Sequence, residues 1–189
     1  MKIAFVGDFH ANHQSLEKHP NIINIGINGM PVWDAELKLI FDEILSHEDI
    51  EKIYFSCGHP FMGCRKKEEI LSLKEFETLK FKSEERGFIH GAPYRKMSDE
   101  EIAKITQKYL IYLRYYCELD KRIRLAPIVI LWHEIIRKTP GMPTLYSQIK
   151  EDFNILDVSV FLDSKFQFEG RRGFLYKKAM QKLIAVCYN

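Results

Sequence analysis

The chain has 189 residues, of which 46% are hydrophobic and 29% charged, as is ordinary for a soluble globular protein. The formal net charge is only +2, from 28 basic and 26 acidic residues, so the charge balance indicates neither a nucleic-acid partner nor an anionic membrane surface. This length is typical of one domain with its own core, and we predict a single domain over residues 1–189.

Cysteine spacing and hydropathy indicate the cellular compartment of the protein and whether it binds zinc or a membrane. The four cysteines match no zinc-binding spacing, because Cys57 and Cys64 stand seven apart and Cys117 and Cys187 form no second pair. The first residues lead into a short apolar run rather than a signal-peptide core, and no apolar stretch reaches the roughly 18 residues that cross a bilayer. The sequence therefore predicts a cytoplasmic protein with reduced thiols, no cofactor and no membrane partner.

Short apolar runs that end in polar, glycine-marked turns alternate with helical patterns along the chain. The first run, 3–6, ends at Gly7-Asp8, and the second run, 22–25, ends at Gly26. Such runs are typical of buried strands in a parallel sheet. Three later runs complete an expected sheet of five strands, at 53–55, 128–132 and 156–162. We predict an α/β fold, a three-layer α/β/α sandwich with the flavodoxin-like strand order 2-1-3-4-5.

Helical patterns fill the segments between these runs. The predicted helices lie at 31–44, 66–81, 99–120 and 144–152, with a last one after Gly173 whose apolar face includes Phe174, Leu175 and Val186. Pro31 suits a first helical turn, and Ser98 with Glu101 three residues on forms a capping box. The 99–120 helix carries four tyrosines that we assign to core packing rather than base stacking, namely Tyr109, Tyr112, Tyr115 and Tyr116.

The chain between the third and fourth predicted strands, about 64–120, is longer than a minimal crossover. Its 64–97 part combines charged helical patterns with a loop at 87–97, and such additions after the carboxyl end of a strand commonly cover a cleft. We expect Phe88, His90 and Tyr94 near the mouth of the cleft, as a lid or partner surface. The alternative is a helical pair packed on one face of the sheet.

Every predicted strand ends in polar residues, and the carboxyl ends of parallel strands share one edge of the sheet. The candidate site residues at this edge are Asp8, His10, Gly26, Asn28, His59, His133 (followed by Glu134), Asp163 and Lys165. Residues at the start of a loop are often polar because they cap helices or form turns. The set as a whole therefore predicts a shared cleft, without naming its chemistry.

The residues in these turns, and the order of the turns along the chain, resemble the sequence motifs of the SGNH (GDSL-type) hydrolase family. The segment 7–10, Gly-Asp-Phe-His, stands where that family has Gly-Asp-Ser-His. The segment 26–29 resembles its second block, whose glycine N–H helps form the oxyanion hole. The segment 58–61 falls on the family's Gly-x-Asn-Asp, and 163–170 falls on its last block with Asp-x-x-His. The resemblance implies an α/β fold and a small ligand that is acylated or of carbohydrate type.

Three positions depart from the family pattern. The nucleophilic serine falls on Phe9, the oxyanion-hole asparagine on Pro60, and the catalytic histidine on Lys165 or Phe166. Phenylalanine cannot attack a carbonyl, and proline has neither a side-chain donor nor a backbone N–H. Because a serine esterase needs nucleophile, base and oxyanion donors together, the resemblance implies that standard serine esterase activity is lost.

The hypothesis of an SGNH-like protein without serine esterase activity takes two forms. Asp8, the Gly26 N–H and Asp163 match the family and keep its roles. One form is a protein that binds its acylated or carbohydrate-type ligand without turnover. The other is an enzyme that acts on it through a rewired set around His10, His59 and Asp163.

Other chemistries stay open for the same turns. Asp8-x-His10 with Asn12 resembles the first metal-binding motif of the calcineurin-like phosphoesterases, in which an aspartate and a histidine bind one metal of a two-metal centre. That family needs a second Gly-Asp after strand two, and this chain has Gly-Ile-Asn at 26–28. A non-catalytic binding or interaction module is a further alternative.

Cysteine and arginine provide two minor candidates. Cys57 is a possible thiol nucleophile served by His59, His10 or His133, against the alternative of a buried apolar cysteine. The pair 171–172, Arg-Arg, precedes the last helix and is a possible anion site, against the alternative of a solvated helix start.

Overall fold

A parallel sheet of four strands, with helices packed against it, forms the core of the protein. The computed structural model describes residues 1–8, 11, 14–26, 32–58, 60, 98–128, 142–158, 168–169, 174–175 and 177–189. Its elements in chain order are β1 (Lys2–Gly7), α1 (Gln14–Glu17), β2 (Ile22–Gly26), α2 (Ala35–Leu45), β3 (Ile50–Ser56), α3 (Asp99–Leu119), β4 (Ile123–Leu125), α4 (Met142–Asp152), β5 (Phe168–Glu169), β6 (Phe174–Leu175) and α5 (Lys177–Tyr188).

The sheet has the order β2-β1-β3-β4, and each neighbouring pair is parallel. The first three predicted strands have the predicted order 2-1-3, and the parallel sheet with its helices makes the fold an α/β fold. The short strands β5 and β6 pair antiparallel in a separate two-stranded sheet. Beyond β4, a single parallel bridge joins Leu125 to Ile155, with hydrogen bonds of 3.0 Å from Leu125 N to Asn154 O and 2.8 Å from Leu156 N to Leu125 O.

Side chains alternate along the strands and build two hydrophobic clusters on opposite faces of the sheet. Ala4 and Val6 belong to one cluster, together with residues of α2, α3 and α4. Ile3 and Phe5 belong to the other, together with residues of α1 and α5. Both faces are therefore covered, which is why β1 is apolar at every position from Ile3 to Val6.

Aromatic side chains of α3 form the centre of the first cluster, as predicted for the tyrosine-rich helix. Tyr109, Tyr112 and Tyr116 are each 2% exposed or less. The Tyr116 ring lies 4.6 Å from the Phe41 ring and 5.2 Å from the Phe55 ring, measured between centroids. These contacts join α2, β3 and α3 into one packed unit.

The later strands differ from the prediction. The fourth strand is β4, Ile123–Leu125, and not 128–132, of which 129–132 lie outside the described residues. The Ile128 amide donates to the Ala126 carbonyl at 2.8 Å rather than to a neighbouring strand. Strand β4 was not predicted because it is only three residues long and has an exposed Arg124 at its centre. Its two apolar positions are too few to form a recognisable strand pattern.

Two helix starts also differ. Helix α2 begins at Ala35 rather than Pro31, because Asp34 is its N-cap and accepts a hydrogen bond of 2.9 Å from the Glu36 N–H. Val32 and Trp33 precede the helix in a turn and are nevertheless buried. Helix α3 agrees with the predicted 99–120, and α4 starts two residues before the predicted 144–152.

The C-terminal segment combines a strand and a helix where one helix was predicted. Phe174 and Leu175 form β6, and α5 starts at Lys177. Val186 is 40% exposed, so it is not part of the apolar face of α5. That face is formed by Ala179, Met180, Leu183, Ile184 and Cys187.

Candidate functional site

Three strands of the sheet end level with one another. Gly7, the last residue of β1, pairs with Gly26 at the end of β2 and with Ser56 at the end of β3. In open α/β sheets, ligands bind just beyond such carboxyl ends. The shared edge that was predicted around Asp8 and Gly26 therefore exists for the first three strands.

Gly7 makes the close approach between β1 and β3 at this edge. Its φ is +132°, a conformation that side chains with a Cβ rarely adopt, and an added Cβ would lie 2.1 Å from the Ser56 carbonyl oxygen. The chain then turns, since the Asp8 N–H donates to the Ser56 carbonyl at 2.9 Å and the Ala11 N–H to the Asp8 carbonyl at 3.0 Å. Asp8 is thereby fixed against the end of β3.

Asp8 and Ser56 form a buried polar pair. The Ser56 hydroxyl donates to Asp8 Oδ1 at 2.7 Å, and Ser56 and Asp8 are 0% and 1% exposed, respectively. They are the only two buried polar or charged residues in the part of the chain that the structure describes. Burial of a carboxyl group is unfavourable unless it receives hydrogen bonds, and the bond from Ser56 offsets part of that cost for Asp8.

The chain continues from this pair into Cys57 and Gly58, which contact helix α3. The Tyr109 hydroxyl donates to the Gly58 carbonyl, and both groups are buried. Burial raises the pKa of the Cys57 thiol to about 12, hydrogen bonding with Tyr109 lowers it in part, and the Asp8 charge raises it. Burial, and then the neighbouring Cys57, raise the pKa of Tyr109 well above its ordinary value.

These surroundings argue against a nucleophilic role for Cys57. A reactive cysteine needs an exposed, electropositive setting that favours the thiolate. Cys57 is 0% exposed, burial and the Asp8 charge raise its pKa, and the thiol therefore stays protonated near neutral pH. The alternative of a small buried apolar cysteine fits it better.

Several predicted site residues cannot be placed. Asp8 and Gly26 lie together at the described edge, and Pro60 is buried just beyond Gly58. The others lie outside the described residues, namely Phe9, His10, Asn12, Asn28, His59, Phe88, His90, Tyr94, His133, Glu134, Asp163, Lys165, Phe166 and the Arg pair at 171–172. Their assignment to the cleft and to the proposed lid stays a prediction.

Sequence reasoning missed Ser56 and Tyr109. Ser56 carries a local signal, because it is the polar residue that ends the apolar run 53–55. Tyr109 carries none, since its assignment to core packing is correct but does not predict that its hydroxyl contacts the backbone just after β3, 51 residues away in the chain. Together with Asp8 and the Gly58 carbonyl, they line the described part of the edge with oxygen atoms.

The metallophosphoesterase interpretation of Asp8 and His10 stays an alternative hypothesis. Within the described part of the chain, no group of three or more His, Cys, Asp or Glu side chains is arranged to hold a metal ion. Among the same residues, no helix is long and apolar enough to cross a membrane.

Comparison with known protein families, with curated proteins and with solved structures finds no match for this chain.

Proposed function

We propose that the carboxyl edge of the sheet is an SGNH-like ligand site for an acylated or carbohydrate-type small molecule, without the standard serine esterase reaction. One observation carries this proposal. Asp8 follows β1 at the level ends of three parallel strands, and a buried hydroxyl at 2.7 Å orients its carboxyl group. In the proposed site the Gly26 N–H recognises a carbonyl group of the ligand, and Asp8, which is 1% exposed, acts from beneath by holding the end of β1 against β3. No cofactor, nucleic acid or membrane is involved.

The architecture supports the comparison with the SGNH fold. The parallel bridge between Leu125 and Ile155 is consistent with a fifth strand beside β4, which would give the full order 2-1-3-4-5. Helices contribute to both hydrophobic clusters, as in a three-layer α/β/α sandwich. We propose this complete architecture for a single cytoplasmic domain.

The described residues do not replace the missing nucleophile. Phe9 stands at the serine position of the family, and Ser56 is a poor substitute because it is 0% exposed and its hydroxyl proton is directed to Asp8. A nucleophilic serine needs access to substrate and a base that takes its proton. Ligand binding, or turnover by a rewired histidine set, is therefore proposed in place of acyl-serine chemistry.

Ester hydrolysis tests the loss of the serine reaction. We expect p-nitrophenyl acetate and butyrate to be hydrolysed at the rate without protein, and a fluorophosphonate probe to label no serine. Rapid hydrolysis with a labelled serine would overturn this part of the proposal. Hydrolysis of bis-p-nitrophenyl phosphate with two bound transition metal ions per chain would instead favour the metallophosphoesterase interpretation.

Saturation-transfer NMR tests the binding site itself. N-acetylglucosamine is a suitable probe because it carries both an acyl group and sugar hydroxyls. We expect saturation transfer to the probe from the wild-type protein, and a weaker transfer in Asp8→Ala, which removes the acceptor of the Ser56 hydroxyl and with it the support of the strand ends. Equal signals from the two proteins, or no signal from the wild type, would contradict the proposal.

A further inference from the structure

We propose that Tyr109 is a positioning residue of this site, acting through the turn that follows β3. The inference rests on the proposed function and deepens it, because it assigns a role to a helix that the SGNH resemblance does not include. Tyr109 lies in α3, a helix of 21 residues, and is 0% exposed. Its hydroxyl donates to the Gly58 carbonyl, which makes α3 a support for the edge of the sheet.

A hydrogen bond to the Gly58 carbonyl can orient the backbone that leads to residue 59. The carbonyl of Gly58 belongs to the planar peptide unit that links it to residue 59, a predicted site residue. Gly58 has no side chain of its own to fix the direction of that plane, and glycine has the widest conformational freedom of any residue. The hydrogen bond from the buried Tyr109 side chain therefore restricts the backbone at Gly58, where the sequence itself imposes the least restriction.

The other groups around the Tyr109 hydroxyl belong to the same edge. The Cys57 thiol lies beside it, and the charge of Asp8 acts on both groups. Asp8 is in turn bonded to Ser56, the residue before Cys57. Tyr109 is thus the contribution of α3 to a continuous buried cluster that runs from β1 to the turn after β3.

Tyr116 provides a matched control on the same helix. It lies seven residues further along, is also 0% exposed, and packs against the Phe41 and Phe55 rings. Within the described residues its hydroxyl has no hydrogen-bond partner. Tyr109→Phe and Tyr116→Phe therefore remove the same atom from the same helix, but only the first removes a bond to the strand end.

Three measurements on the full-length chain test the proposal. We expect Tyr109→Phe to accelerate amide exchange of Cys57 by about tenfold at low denaturant, because the buried Gly58 carbonyl loses its donor. We expect it to move the His59 imidazole NMR resonances and their pH titration, and to weaken N-acetylglucosamine binding by about fivefold or more. Tyr116→Phe should change each quantity by less than about twofold.

The outcomes separate positioning from stability. If Tyr109→Phe lowers only the global stability, with exchange rising uniformly and the His59 resonances and probe binding unchanged, Tyr109 is structural and the inference is overturned. If the wild type binds no probe, the proposed function fails by itself. Shifted His59 resonances in Tyr109→Phe would then still support the positioning role, and unshifted ones would reject it.

Discussion

The Ser56 hydroxyl donates a hydrogen bond of 2.7 Å to Asp8 Oδ1, and the two side chains are buried where β3 and β1 end. Removal of a donor from a buried carboxyl oxygen leaves that oxygen desolvated without compensation. We expect Ser56→Ala to lower the free energy of unfolding by about 1–3 kcal/mol, as measured by urea denaturation.

Ser46 offers the matched control for this substitution. Its hydroxyl also donates a hydrogen bond, 2.6 Å to the Glu43 carbonyl, but at an exposed helix end. Ser46→Ala should therefore change the free energy of unfolding by no more than about 0.5 kcal/mol. Equal losses in the two variants would show that burial of the Asp8–Ser56 pair contributes nothing.

The buried Asp8–Ser56 pair requires glycine at position 7, because β1 and β3 approach each other closely there. The φ of Gly7 is +132°, and the Ser56 carbonyl oxygen lies 2.1 Å from the point that a Cβ would occupy, which leaves no room for a side chain. We expect Gly7→Ala to lower the free energy of unfolding by about 3 kcal/mol or more, because both the φ and the close approach must change. Urea denaturation measures the loss, and a loss below about 1 kcal/mol would contradict the close packing of β1 on β3.

The first three strands were predictable because their signals are local. Each contains a short apolar run, and β1 and β2 end in glycine. Asp8 was predictable for the same reason, since it follows β1 directly. By contrast, β4 has only two apolar residues around an exposed Arg124, and the pair Phe174-Leu175 is too short for its periodicity to separate strand from helix.

The contacts of the site were not predictable, because they join distant parts of the chain. Ser56 and Asp8 are 48 residues apart, and Tyr109 and Gly58 are 51 apart. The assignment of the tyrosine-rich helix to core packing predicted the burial of Tyr109 correctly. It contains no information about which backbone carbonyl a buried hydroxyl meets, because that depends on the packing of the whole helix against the sheet.

Arg122 ties the turn after α2 to the turn before β4. Its guanidinium donates to the carbonyls of Leu45, His47 and Ile50 at 3.2, 2.9 and 2.8 Å, and to both carboxyl oxygens of Asp120. A lysine ammonium carries its three N–H donors on a single nitrogen and cannot reach this set of acceptors, which three guanidinium nitrogens share. We expect Arg122→Lys to lower the free energy of unfolding by about 1–2 kcal/mol in urea denaturation.

The control for Arg122→Lys lies two residues further along. Arg124 is exposed on β4, so Arg124→Lys preserves its charge and should leave the free energy of unfolding within about 0.5 kcal/mol of the wild type. If Arg122→Lys were equally neutral, the five hydrogen bonds would be replaceable by charge alone, and the link between the two turns would have no energetic weight.

We expect the protein to lose stability at alkaline pH, because three of its thiols are buried or half-buried. Burial raises the pKa of Cys57, Cys117 and Cys187 from the ordinary 9.0 to about 12 in each case. Above pH 9 the unfolded chain therefore releases thiol protons that the folded chain retains, so ionisation favours unfolding. Each thiol is expected to lower the free energy of unfolding by up to about 1.4 kcal/mol per pH unit as the pH rises from about 9 towards about 12.

Cys57→Ala isolates the contribution of one thiol. The variant loses some packing at every pH, but its free energy of unfolding should fall less steeply than that of the wild type above about pH 9, because one proton no longer links folding to pH. Urea denaturation under reducing conditions, at several pH values from about 7 to about 10.5, measures the two slopes. Parallel curves would mean that the Cys57 thiol ionises as readily in the folded protein as in the unfolded chain, and would reopen the nucleophilic role that its burial beside Tyr109 and Asp8 argues against.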